Sequence, residues 1–150
     1  MGVLDLITIL LSSTLAGVEL AVSWFFNPAI WQLDDRPQAT ALSLLARSLG
    51  KLMPFWYVLC FVLLSVEAYL RRHSPSHIFG LVALAIWLAT ILYTITTLVP
   101  INNRIAALTP ASLPPTWKQD HKRWDTLHRW RILLLIIAVI CLTAGILGLG

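Results

Sequence analysis

The stretch Ile78–Ile101, IFGLVALAIWLATILYTITTLVPI, runs for 24 residues without a charged side chain. At about 1.5 Å of rise per residue such a helix crosses the roughly 30 Å hydrocarbon core of a bilayer, for which about 20 apolar residues suffice. Ile132–Gly150 adds an uncharged run of 19 residues. Val3–Phe26 is interrupted only by Asp5 and Glu19, and the shorter run Leu52–Val66 reaches spanning length if its helix begins near Gln38 and carries Arg47 and Lys51 inward. The chain is 58% apolar and 12% charged, with a mean hydropathy of +0.79. A soluble domain carries about 25% charged residues, so this composition indicates an integral membrane protein.

Turn chemistry separates the runs: Asp34–Pro37, then Ser74–Ser76 around Pro75, then Thr109–Thr116 with its three prolines. The expected spans are 3–33, 38–71, 77–104 and 122–149, forming one domain over residues 1–150. Short connections make neighbouring helices antiparallel, which predicts an all-α, up-down-up-down four-helix membrane bundle. The first run lacks a basic amino-terminal region and is too long for a cleavable signal, so it is expected to remain as a span. Cys60 and Cys141 form no C-x-x-C pair and read as buried thiols. The formal charge of +4 comes mostly from Lys118–Arg131. That segment leads directly into a span, which speaks against nucleic-acid binding and for lipid headgroups or a bound anion. The denser Lys and Arg on the Asp34 face place that face in the cytoplasm of a plasma or inner membrane.

Glu19 needs an explanation, because a carboxylate deep in a bilayer is costly unless it is protonated or paired. Counting from the Asp34 face puts Asn27 at about 9 Å, Arg47 at about 13 Å, and Lys51 and Glu19 at about 20 Å. Glu19, Ser23 and Asn27 recur every four residues, as do Arg47 and Lys51, and Tyr93 and Thr97. Trp124, His128 and Arg131 follow at spacings of four and three. Each set occupies one helical face, and polar faces in lipid turn inward. The expectation is one shared cavity, with Glu19 paired to Lys51 or Arg47, Asn102 contributing an amide, and Trp24 and Trp124 lying at cavity depth.

His121, Asp125 and His128 stand at i, i+4 and i+7, an alternative set of ligands for copper, iron or zinc. A non-enzymatic binding or assembly module for haem, quinone or lipid is the competing class. Gly145, Gly148 and the Ser13–Gly17 spacing permit close helix contacts, including those of a homo-oligomer.

The segment LVPINNRI, Leu98–Ile105, followed by W-x(6)-W-x(3)-H-x(2)-R at Trp117, Trp124, His128 and Arg131, resembles the anthrone oxygenase-like family of small four-span membrane proteins. The pair Asn27–Pro28 near the end of the first span fits the same pattern. The resemblance implies a cofactor-independent oxygenase that uses molecular oxygen as co-substrate and converts a polycyclic anthrone to an anthraquinone. It bears on Asn102, Trp124, His128 and Arg131. In that chemistry His128 is the expected general base, with Arg131, Arg47 and Asn102 stabilising the enolate oxygen. Glu19 is then a partner of Lys51 or a second proton acceptor.

Overall fold

The computed structural model describes residues 2–149. Four helices fill it: α1 (Val3–Ile30), α2 (Asp35–Leu70), α3 (His77–Ala106) and α4 (Trp117–Leu147), each long and apolar enough to cross a membrane. Consecutive helices run antiparallel. Asp5 meets Arg71 while Glu19 meets Tyr57; Tyr57 meets Trp87 while Arg47 meets Ala106; Ser76 meets Gly145 while Arg104 meets Asp120. The expected bundle is therefore the observed one.

Local chemistry sets the ends. Asp34 holds extended backbone (φ −61°, ψ 158°) ahead of α2. Pro37 falls within the first turn, where its missing N–H is not needed, so α2 starts three residues before Gln38. Trp117 opens α4 five residues before the expected Lys122. Gly148 closes it in the left-handed region at φ +69°, a conformation glycine adopts without steric cost.

Two π-helical turns interrupt the regular winding, at Val22–Phe26 in α1 and Thr94–Leu98 in α3. Each directly precedes a proline-bearing turn, Asn27–Pro28 and Val99–Pro100. A proline ring presses on the carbonyl four residues back, here Trp24 and Thr96, and the wider π turn gives that carbonyl room. Pro54 sits inside α2 with no such turn, so the carbonyl of Gly50 lacks its helical donor.

The half of the bundle nearer the termini is solidly filled by Leu15, Cys60, Leu64, Trp87, Leu135 and Leu142. Trp87 is wholly buried, and its indole N–H donates to the Tyr57 carbonyl at 3.1 Å. There α3 and α4 approach closely. A Cβ added to Gly145 would lie 3.2 Å from the Gly80 nitrogen, so the small-residue contact expected of Gly145 is used within the chain, while Ser13 and Gly17 are exposed. The other half packs around Leu42, Leu98, Ile101, Ile105 and Trp117 and is less completely filled.

Candidate functional site

Glu19 on α1 lies at the junction of the two halves, 1% exposed. Its Oε2 accepts from Arg131 Nη2 at 2.6 Å, and its Oε1 accepts from the Tyr57 hydroxyl at 2.9 Å. The guanidinium also lies 5.6 Å from the centre of the Tyr57 ring. An uncompensated charge at this depth would cost several kcal/mol, so the carboxylate and guanidinium stabilise each other's burial.

His128 sits one helical turn before Arg131 on the same face of α4 and is completely buried. Its Nε2 lies 3.1 Å from the Glu19 carbonyl oxygen, and its Nδ1 lies 2.9 Å from Arg131 Nη2. A carbonyl only accepts and a guanidinium only donates, which assigns the neutral imidazole with its proton on Nε2. Trp124 stacks on its ring at 4.5 Å. Asn27 Nδ2 donates to Asp125 Oδ1 at 2.9 Å, tying the π-bulged end of α1 to α4.

Beside this cluster is a cavity of about 280 Å³. Glu19, Asn27, Tyr57, Asn102, Trp124 and Arg131 give it polar and aromatic walls, and Leu42, Leu49, Met53, Ile91 and Leu98 supply apolar ones. Among its buried polar atoms, Arg131 Nε and Asn27 Oδ1 have no partner. One free donor and one free acceptor thus belong to residues that border a largely apolar space.

Five of the residues singled out in the sequence border the cavity: Glu19, Asn27, Asn102, Trp124 and Arg131. His128 lies one layer behind. Arg47 and Lys51 do not pair with Glu19. Ala46, Met53 and Tyr57 define the inward face of α2, and residues 47 and 51 fall about 100° and about 140° further round, on the outer surface. Arg47 Nε instead donates to the Ala106 carbonyl at 2.8 Å. Trp24 has the right depth but is 65% exposed, one residue past the buried Ser23. The Tyr93 hydroxyl donates to the Leu127 carbonyl at 3.2 Å, and Thr97 Oγ1 to the Tyr93 carbonyl at 2.6 Å, so both hydroxyls serve the helices.

The three candidate metal ligands do not converge. His121 stacks on Trp31 at 4.1 Å with Nδ1 at 3.3 Å from the Gln38 amide, Asp125 engages Asn27 and Arg129, and His128 faces Glu19. Among the described residues no three His, Cys, Asp or Glu side chains are grouped to hold an ion. Tyr57 went unnoticed in the sequence, although a hydroxyl in the middle of an otherwise apolar run, near the depth of Glu19, is a usable signal. A second unforeseen cluster joins Asp5, Thr8, Glu67 and Arg71 at the terminal end.

A family model described as anthrone oxygenase matches residues 43–141. The chain belongs to the anthrone oxygenase family. No curated protein and no solved structure matches it. Membership in the anthrone oxygenase family implies oxygenase activity. The matched region includes Tyr57, Asn102, Trp124, His128 and Arg131, whereas Glu19 and Asn27, on α1, precede it.

Proposed function

We propose that this protein is a membrane-embedded oxygenase that oxidises a lipophilic aromatic molecule of the anthrone or hydroquinone kind inside the cavity, with oxygen as co-substrate. The observation that carries this reading is the Glu19 carboxylate, held by Arg131 and Tyr57 at the wall of an apolar space sized for a small ligand. Small-molecule sites commonly have this character: apolar walls with a few placed polar groups.

In this reading the proton acceptor is Glu19 rather than His128, because the single lone pair of the neutral imidazole is already used, whereas each Glu19 oxygen accepts one hydrogen bond and keeps a second lone pair. The carboxylate removes one proton from the methylene carbon opposite the substrate carbonyl, leaving the electron pair delocalised as an enolate. The enolate reduces oxygen in one-electron steps, and a carbon–oxygen bond forms. The proton held by Glu19 passes to the peroxide, and the second methylene proton leaves as the O–O bond breaks. One anthrone and one oxygen molecule give one anthraquinone and one water. The Arg131 guanidinium, on the wall beside the carboxylate, supplies positive charge for the reduced oxygen, and Asn102, also on the wall, is the amide assigned to the carbonyl end. Donors fixed in place before reaction, where water is scarce, stabilise such charge most effectively.

The test is oxygen uptake with quinone formation by purified protein in nanodiscs supplied with an anthrone. Glu19→Gln keeps the shape and loses the base, and is expected to lower kcat by about 10²-fold or more. Turnover at the parental rate in that variant would remove Glu19 from the chemistry.

A further inference from the structure

Gly50, Pro54 and Val58 recur every four residues along α2, and Ile95, Val99 and Asn103 do so along α3. All six are exposed on the outer surface, and all six border the cavity. The cavity therefore reaches the outside between two facing stripes, each about 12 Å long. Val58 and Ile95, at 56% and 58% exposed, flank one end of the slit. At its other end Asn102 Nδ2 donates to the Ala46 carbonyl at 3.3 Å, and Arg47 Nε to the Ala106 carbonyl, tying α2 to α3 on the side of the Asp34 loop. The aqueous end is latched and the flank is open. At the flank stands Gly50, where an added Cβ would approach Asn102 Nδ2 to 3.3 Å.

The interior identifies what the slit admits. Asp125 accepts from the Asn27 amide nitrogen, which leaves Oδ1 as a pure acceptor without a partner, and Arg131 Nε is a donor without one. Both residues are more than nine-tenths buried. Neither atom is exposed to the cavity as it stands, so a ligand engages them only when the Arg131 and Asn27 side chains shift; an aromatic molecule bearing a carbonyl and a hydroxyl then complements both, and a phospholipid acyl tail complements neither.

We infer that the substrate reaches the cavity sideways from the bilayer, through a slit between α2 and α3 with Gly50 at its sill, as an apolar molecule bearing one hydrogen-bond acceptor and one donor. The choice of an aromatic substrate rests on the oxygenase reading; the port rests on geometry alone. The probe is a monohydroxyanthraquinone added to wild-type protein in nanodiscs, with association followed by quenching of tryptophan fluorescence, since Trp124 lines the cavity. Gly50→Leu and Val58→Phe are expected to slow association at least about fivefold. Gly17→Leu, at an exposed glycine whose added Cβ meets nothing, is expected to leave it unchanged. With an anthrone as substrate, kcat/KM falls in parallel while kcat at saturation falls less. Unaltered association in both slit variants, or equal slowing by Gly17→Leu, overturns the port. Displacement of the probe by oleate as readily as by a dihydroxyanthraquinone assigns the slit to lipid tails and overturns the ligand. Absent oxygen uptake by wild type, together with slowed probe association in the slit variants, removes the catalytic reading and leaves the port standing.

Discussion

Arg131 carries a charge that lipid cannot solvate at its depth, so its partners come from within the bundle. One guanidinium nitrogen serves two of them, Glu19 Oε2 at 2.6 Å and His128 Nδ1 at 2.9 Å. His128 thereby links the Glu19 backbone to the Arg131 side chain, and acts on the reaction by holding both in place. His128→Ala removes a donor and an acceptor together and is expected to lower kcat by about 10- to 10²-fold through misplacement. His128→Gln retains an amide that can donate to the carbonyl and accept from the guanidinium, and should recover most of the loss. The decisive measurement is the pH dependence of kcat/KM: both variants keep the limbs of the parental profile. A limb that vanishes in His128→Gln would return the base to histidine. The imidazole was conspicuous in the sequence because of its motif spacing, but spacing does not show which lone pairs are already occupied.

Close packing between α3 and α4 depends on Gly80 and Gly145, which let two backbones meet with the Ser76 hydroxyl donating to the Gly145 carbonyl at 3.0 Å. Gly145→Val forces branched atoms against Gly80 and Phe79, where overpacking typically costs about 1–3 kcal/mol. Thermal unfolding in detergent should show that loss, and Gly17→Val should not; equal midpoints for Gly145→Val and wild type would sink the claim. The four helices themselves were legible, since uncharged runs of bilayer length have few other uses. Their starts were less so: α2 and α4 begin three and five residues earlier than hydropathy implied, because a polar first turn can leave its free N–H groups to water and needs no apolar burial. The π turns before Pro28 and Pro100 were not legible. Sequence marks the proline, but whether the helix kinks, widens or leaves a bare carbonyl, as at Gly50, is settled by the neighbouring helices.

Across the bundle, the buried carboxylates of the described residues gather in two clusters separated by apolar filling. Glu19 was legible as a buried acid because its burial is costly, yet its partner was not: Lys51 and Arg131 both lay at plausible depths, and depth along a helix says nothing about rotation around it. Only the inward turn of Tyr57 and Met53 excludes Lys51. The second cluster, near the termini, follows the same physics. Arg71 Nη2 binds Asp5 at 2.7 Å, its Nε binds Glu67 at 3.3 Å, and Nη1 reaches the Ile146 carbonyl at 3.4 Å, so one cation joins α1, α2 and α4. Arg71→Met leaves two largely buried carboxyls facing each other. Removing one member of a fully buried pair costs about 3–5 kcal/mol, and the partial exposure of Arg71 reduces this to about 1–3 kcal/mol. Without the guanidinium the penalty falls on the ionised forms, so protonating Asp5 and Glu67 relieves it. Thermal unfolding of wild type and Arg71→Met should therefore differ most near neutral pH, and the difference should narrow as the solution is acidified. A difference that stays constant over that range would mean that Arg71 holds the helices by packing alone, with the two acids already uncharged.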